Sequence, residues 1–466
     1  AKVTKGLITI DHTESYQVLG SCSAEIPDKP LPVTSTQSGK DISPGSCDII
    51  NYSKSSEDDC NMKCYGNNQC VAYVMDQSDN NRCYLKSCAH PVVDSVHHVA
   101  STIDPSKRVC ADKLSSCVQQ SVQIFPTRTL FNLKCGTSIQ LNITFLQTLF
   151  TDDYIRLSRP VYYVDWSVSS LDGKDHSVNM MLSFSGEHVI NSDDLQTVEW
   201  STVGGAAINA VRIGNSKQKI LGSKGDQVNI DWGYLYLSSP SLSASSVWGG
   251  SIFNATQSFL TTGMLPSTKD INSPRVCNDD LPGLSATASM NVKGNVNGSS
   301  SSQTTTIPPS HQTFLVAYDD VASVKYFGDN YQGYWTQNYT DILDAMNHAS
   351  EEFDAMLVQS TDHDSALLDK LSNAGGDEYA QLCALAYRQT LAATKLVWNH
   401  NQTVMWNFLK EISTNGDMQT VDVIYPASPM LLYTNPELLK LLLIPFLEYA
   451  NNQTYVKFGD PYSPHQ

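Results

Sequence analysis

Twelve cysteines stand in this chain of 466 residues, and nine of them fall from Cys47 to Cys135. Clustering of this kind serves disulfides in an oxidising compartment or a zinc site in a reducing one. Cys60, Cys64, Cys70, Cys83 and Cys88 form no pair of CxxC knuckles, and His90, His97 and His98 supply no finger spacing. Disulfides are therefore the expectation. So short a segment buries little core, so covalent staples are expected.

Several other features agree with secretion. The chain starts at Ala1 rather than methionine, which reads as a mature N-terminus left by signal removal. Asn-x-Ser/Thr sequons occur at Asn51, Asn142, Asn254, Asn297, Asn338, Asn401 and Asn452, so N-linked glycans are expected partners. Asn142 lies between Leu141 and Ile143 in an alternating strand and should face away from the core. The formal net charge is −17, and no basic run is present to meet a phosphate backbone, so nucleic acid is an unsuitable partner. The most apolar stretch, 438–447, is far shorter than the roughly 20 residues a bilayer needs. No transmembrane span and no cofactor are expected.

Residues 1–46 read as an N-terminal extended segment with one strand near Leu7–Ile10, and 47–117 hold the cysteine cluster. From 118 to 338 short strands alternate: Ile139, Leu141, Ile143 and Phe145; Tyr162, Val164, Trp166 and Val168; Val178, Met180, Leu182 and Phe184. This pattern predicts an antiparallel β-sandwich, with Leu171-Asp172-Gly173-Lys174 as a hairpin turn between the last two runs. Asn295 to Ser310 reads as a low-complexity surface insertion open to O-glycosylation. Residues 339–466 read as helical. Thr340 caps one helix, a short one ends at Gly375-Gly376, a third runs from Asp377 to about Trp398, and another begins at Asn435-Pro436.

Two resemblances sharpen this outline. Cys60-x3-Cys64-x5-Cys70-Val71-Ala72-Tyr73, followed by Cys83-Tyr84-Leu85-Lys86, resembles the PAN/apple module. That resemblance implies bridges Cys60–Cys83 and Cys64–Cys70, a helix pinned to a small sheet, and binding of proteins or carbohydrates. Cys47, Cys88 and Cys110 stay unassigned.

Over residues 118–466 a series of peptides, in order, resembles the glutaminase A family. The β half carries Thr127-Arg128-Thr129, Leu157-Ser158-Arg159-Pro160-Val161, Asp172-Gly173-Lys174-x-His176 and Ile230-Asp231-Trp232-Gly233-Tyr234. Ala317-Tyr318-Asp319-Asp320, Tyr326-Phe327-Gly328 and Tyr334-Trp335 mark the junction. Leu382 to Gln389, Thr420 to Pro426 and Asn435-Pro436-Glu437-Leu438-Leu439 follow in the helical half. The resemblance implies a multidomain α+β chain: a disulfide-stapled PAN/apple module, an antiparallel β-sandwich, and the N-terminal part of an α/α six-hairpin toroid. It also implies extracellular hydrolysis of glutamine to glutamate and ammonia. Residues 339–466 supply fewer helices than a closed toroid holds. Either the sequence is incomplete, the chain is truncated, or another chain completes the fold. A homo-oligomer or filament would cover the apolar helix faces so exposed.

Amide hydrolysis needs a positioned acid and base. Asp422, flanked by Val421 and Val423 in a short extended run before Tyr425-Pro426, is the first candidate, because a carboxylate within an apolar run is costly unless paired or used. Glu411 and His465 are the further acid–base candidates. Arg388 could fork onto a substrate carboxylate, and Asn415 and Tyr425 could line a pocket beside Asp417. The bland readings are a capping Asp422 and a structural salt bridge at Arg388. Two other functions remain open at this level: a glycoside hydrolase of the six-hairpin type, and a structural or adhesive glycoprotein without catalysis.

Overall fold

A computed structural model describes residues 4–19, 33–42, 48–52, 56, 60, 64, 72–79, 81–86, 92–103, 114–192, 195–205, 208–222, 228–240, 246–294, 310–399, 404–412 and 415–451. They divide into two compact units, one of Leu19–Ser115 and one of Ala1–Val18 with Ser116–Gln466. The larger unit is thus discontinuous in sequence, and the smaller is an insertion after its first strands.

The smaller unit is an antiparallel sheet ordered Val33–Ile42, Val92–Ile103, Ala72–Asp76, Arg82–Lys86 and Asp48–Tyr52. The short strands Ala72–Asp76 and Arg82–Lys86 flank a polar turn. Asp76 holds that turn by accepting from the backbone N–H groups of Ser78 at 2.9 Å and Asp79 at 3.2 Å. Cys60 is bonded to Cys83, as the PAN/apple resemblance implies, and Cys64 is also disulfide-bonded. Both cysteines stand in helical backbone and pack with Tyr73, Met75 and Leu85. Cys47, Cys70, Cys88 and Cys110 lie outside the described residues.

In the larger unit a nine-stranded sheet runs Arg275–Val276, Thr197–Gly204, Asn209–Asn215, Tyr234–Ser238, Ser310–Asp319, Val161–Ser170, Ile139–Leu146, Arg128–Cys135 and Val118–Ile124. A second sheet includes Val247–Ser251, Pro282–Val292, His176–Ser185, Thr4–Ile10 and Glu14–Leu19. The two sheets meet through Pro282–Val292 and its neighbours. The alternating residues Ile139, Leu141 and Ile143 are buried, as are Val164, Trp166, Val168, Val178, Met180 and Leu182. Strands 161–170 and 176–185 do not form the expected hairpin, because they belong to different sheets. The turn at Asp172–Lys174 carries the chain from one layer to the other. Thr4–Ile10 occupies the ladder beside His176–Ser185 that a hairpin partner would have taken. A second bridge, Cys117–Cys135, ties the nine-stranded sheet near its outer edge.

Six helices complete the described unit: α1 (Tyr154–Ser158), α2 (Ile252–Thr262), α3 (Ile342–Gly375), α4 (Asp377–Ala393), α5 (Val421–Thr434) and α6 (Pro436–Asn451). The two helices expected before Gly376 are one, α3. Its cap is Asp341, whose side chain accepts from the Asp344 N–H, while Thr340 donates to the Asp344 carboxylate. The next helix stops at Ala393 rather than near Trp398. Thr394–Asn399 instead pairs with Val404–Leu409, because Val397 is needed in a small core with Tyr331, Trp406 and Phe408. β-branched and aromatic residues fit that pleated surface better than another helical turn.

Of the sequon asparagines, Asn254 and Asn338 are exposed and Asn142 is half-buried. The side chains of Asn51, Asn297, Asn401 and Asn452 lie outside the described residues. Among the described residues no helix is long and apolar enough to cross a membrane.

Candidate functional site

The strand Val404–Leu409 runs into a loop closed by a bridge between Lys410 and Met418. Inside it, Asn415 is only 2 % exposed. Its Nδ2 donates to Glu411 Oε2 at 2.5 Å and to Asp417 Oδ2 at 3.3 Å, and its Oδ1 accepts from the Asp417 N–H at 3.3 Å. One buried amide therefore gathers two carboxylates. Gln419 follows with φ of 60°, a left-handed backbone that is uncommon for a residue with a Cβ. Its side chain fixes the segment. Oε1 accepts from the Leu409 N–H at 2.8 Å, and Nε2 donates to the Leu442 carbonyl of α6 at 2.7 Å. Thr420 is the N-cap residue of α5, yet its buried hydroxyl makes no hydrogen bond among the described residues, nor does the amide oxygen of Asn407. Asp422 lies in the first turn of α5 and is exposed, not in the extended run expected. Tyr425, one turn on, is 81 % exposed. Glu411, Asn415 and Asp417 are brought together; Asp422 and Tyr425 stand nearby in sequence on the outside of α5; His465 is outside the described residues.

Arg388 is used differently from a substrate fork. Its Nη1 donates to the carbonyls of Phe125 at 3.0 Å and Arg128 at 2.8 Å and to Thr129 Oγ1 at 2.8 Å. It clamps α4 to the sandwich. Around it lies a joint that residue-by-residue reading did not anticipate. Asp364 of α3, 0 % exposed, accepts from the Thr127 N–H at 2.9 Å and from Arg128 Nε at 2.8 Å. Arg159 pairs with Glu352 at 2.5 Å and donates to the hydroxyls of Tyr163 at 3.0 Å and Tyr339 at 3.3 Å. Burial alone would raise the Glu352 carboxyl, but hydrogen bonds and charge from Arg156 and Arg159 bring it below its ordinary value. Tyr387 donates to the Leu149 carbonyl, and Asn435 donates to the Thr151 carbonyl at 2.6 Å.

A family model described as a domain of unknown function (DUF5127) matches residues 127–370, more than half of the chain, and one described as the glutaminase A six helical-hairpin domain matches residues 376–466. The protein named Glutaminase A of Aspergillus oryzae (strain ATCC 42149 / RIB 40) is 27 % identical over 345 residues, covering 72 % of this chain and 47 % of that protein. The chain belongs to the glutaminase A family. A probable glutaminase of Arthroderma benhamiae (strain ATCC MYA-4681 / CBS 112371) is 26 % identical over 330 residues, covering 69 % of this chain and 36 % of that protein. The chain thus spans about half the length or less of these curated relatives. A solved putative kojibiose phosphorylase from human microbiome overlaps with a TM-score of 0.30 and 11 % identity, covering 57 % of this chain and 27 % of that one; so low a score carries no argument.

With the glutaminase A family established, the peptides that carried the resemblance have a common physical role. Thr127-Arg128-Thr129, Arg159, Tyr387-Arg388 and Asn435 all bond across the joint between strands and helices. The signal for Asp364 was present: the buried stripe of α3 runs Ala349, Phe353, Met356, Ser360, Asp364, at helical spacing. An acid on such a stripe needs a partner from the facing layer.

His176, from the Asp-Gly-Lys-x-His peptide, is bound on one ring nitrogen by Asp11 at 2.7 Å and on the other by Asp172 at 2.8 Å. Burial pulls the imidazole down, but the two carboxylates outweigh it and its pKa is raised, while hydrogen bonding to His176 lowers Asp11 and holds Asp172 at about 2. A raised histidine stabilises the fold fully below its unfolded value, and the gain is lost as pH climbs through the native one. The lowered carboxylates contribute above their unfolded values and fail as pH falls through the native ones. The clasp should therefore be strongest at roughly pH 4–6.5. Melting His176→Asn beside the native chain across pH should give the largest Tm gap there, shrinking above it; a gap that widens toward pH 8 is the contrary result.

Proposed function

We propose that this chain carries a glutaminase A-like amidohydrolase site on the 411–422 segment, acting outside the cell. Water adds to the side-chain carboxamide carbon of glutamine as one carboxylate takes its proton. The C–N bond then breaks as a protonated carboxyl gives a proton to the departing ammonia, leaving glutamate. Glu411 and Asp422 are assigned the acid–base roles, Asn415 orients Glu411, and His465 is a further proton carrier. Arg388 is assigned a positioning role through the joint. Tyr425 is assigned to the pocket rim. The observation that supports this reading is the buried Asn415 amide drawing Glu411 and Asp417 together. Glu411→Gln and Asp422→Asn should each lower kcat for ammonia release about 10²–10⁴-fold while leaving the melting temperature near native. No ammonia from glutamine with the native protein, or full activity in both variants, sinks the assignment.

The wider reading keeps 47–117 as a PAN/apple-like module for a protein or carbohydrate target, 118–338 as the sandwich domain and 339–466 as the start of a six-hairpin domain. Its supports for secretion are the disulfides and the exposed sequons.

A second reading, an assembling structural glycoprotein, is favoured by one observation. Tyr425, Leu432, Tyr433 and Leu447 on α5 and α6 are each more than half exposed. An apolar face of this kind calls for a covering surface, and a second copy supplies one. Light scattering should give a mass above that of one chain, restored to one chain by Leu432→Ser with Tyr433→Ser. A native protein that is monomeric at micromolar concentration removes this reading.

A further inference from the structure

The outward face of the nine-stranded sheet changes character along its strands. Where α3 crosses it, Leu146, Tyr163 and Leu315 are buried against Met346, Ala349 and Phe353. Farther along the same strands the face turns polar, and strand register arranges it as a grid. One rung runs Thr313, Asp165, Thr144, Leu130, Gln123 over five neighbouring strands. The next runs His311, Ser167, Asn142, Asn132, Ser121. Nine of these ten positions carry a hydrogen-bonding side chain, and none is Lys, Arg or Glu. These two rungs are built mainly from short amides and hydroxyls, with Asp165 and His311 among them, and the long cations Arg128 and Lys134 stand one rung to either side. Asp354, Leu357 and Thr361 of α3 wall it on one side, enclosing an open cavity of about 520 Å³.

Much of the grid's hydrogen-bonding capacity is unspent. The side chains of Ser121, Gln123, Asn142, Thr144 and Ser167 make no hydrogen bond among the described residues, although Asn142, Thr144 and Ser167 are half-buried. Asp165, 5 % exposed, is held by the Thr313 hydroxyl at 2.7 Å and His311 Nδ1 at 3.1 Å, so its second oxygen remains available to accept. The cation at the cleft is committed: Arg128 is paired to Asp364 and donates to Thr361 Oγ1 at 2.7 Å. The residues lining the cavity therefore offer an anionic ligand no free lysine or arginine; Lys134, one rung beyond Asn132, lies outside the lining.

The geometry assigns this cleft as a binding site for a neutral oligosaccharide lying across the strands. Hydroxyl groups are both donors and acceptors, which suits amides, hydroxyls and the two carboxylates Asp165 and Asp354. Neighbouring strands lie about 4.8 Å apart, so the positions along one rung repeat at close to the length of one sugar ring. Leu130 on the floor and Leu357 on the wall offer apolar surface to a ring's C–H face. The site shares no residue with the 411–422 segment and stands or falls independently of the hydrolase reading.

Asn142-Ile143-Thr144 is itself a sequon, and a glycan there would fill the cleft, so the protein is made in a host that adds no N-glycans. The whole chain is titrated with cellotetraose, maltotetraose and mannotetraose, using ligand-observed NMR and calorimetry. At least one should saturate the protein below about 1 mM, within the range of few-contact binding. Asn132→Ala and the exposed Asp354→Ala should each weaken it at least tenfold, and Lys440→Ala on α6 should leave it unchanged. Asp354→Ala is a surface change that keeps the test sound if Asn132→Ala fails to fold. Saturation by none of the three sugars, or affinity that survives the cleft substitutions, overturns the assignment.

Discussion

Asp364→Ala should lower the stability of the larger unit by about 3–5 kcal/mol, the cost typical of removing one partner from a buried ion pair. The native carboxylate is fully buried and satisfies three donors at once: the Thr127 N–H, the Thr127 hydroxyl and Arg128 Nε. Alanine leaves all three without that acceptor, and the Arg128 side chain is only 8 % exposed, so water cannot replace it. The damage should spread. Arg388 of α4 holds the carbonyl of Arg128, so loosening that strand end weakens a second helix contact. Asp364→Asn keeps the volume but turns an N–H toward Arg128, and should fall between alanine and native. Replacing both partners, Asp364→Leu with Arg128→Met, should recover much of the loss, because no buried charge is then left uncompensated. Urea denaturation followed by intrinsic fluorescence measures all four proteins. A loss below about 1 kcal/mol for Asp364→Ala, the level of an exposed pair, defeats the argument.

How far the fold could be read depended on the range of the interaction. Alternation at 139–145, 162–168 and 178–184 is local, and those strands formed where the pattern put them. The partner of strand 176–185 is not local. Asp172-Gly173-Lys174 announces a reversal, but a turn sequence does not say whether the chain returns in its own sheet or enters the facing one. The N-terminal strand Thr4–Ile10, more than 160 residues away, decided that. The same limit applies at the site. A polar loop with Glu411, Asn415 and Asp417 was legible from spacing, because the residues that bond there are four and two apart. Arg388 was legible as an unusual cation in a small-residue helix. Its acceptors at Phe125, Arg128 and Thr129 lie about 260 positions earlier and carried no mark of it. Asp422 read as an acid in an extended apolar run; Thr420 instead ends the extended segment and α5 starts at Val421.

Breaking the Cys60–Cys83 bond should unfold the smaller unit while the larger one keeps its transition. The described core of the smaller unit is slight. It falls into two small clusters: Tyr73, Met75 and Leu85 with Cys60, Cys64 and Cys83, where half the members are cysteine, and Ile42, Ala72, Val74 and Ala100. Area burial on this scale competes poorly with the entropy of ordering the chain. A bridge closing a loop with a sequence separation of 23 removes about 3 kcal/mol of unfolded-state entropy in the chain-entropy model. That is comparable to the whole stability of a small domain. The bond also does something a hydrophobic contact could not. It joins a helical residue to the strand Arg82–Lys86, fixing one element against the sheet where only a few apolar side chains meet. Cys60→Ser with Cys83→Ser should therefore abolish the smaller unit's step in calorimetry and open residues 19–115 to limited trypsin digestion. The Cys117–Cys135 bond lies in the other unit, so its transition should stay in place. If the doubly substituted protein still resists trypsin across 19–115, the sheet holds itself and the covalent staple is not what keeps it folded.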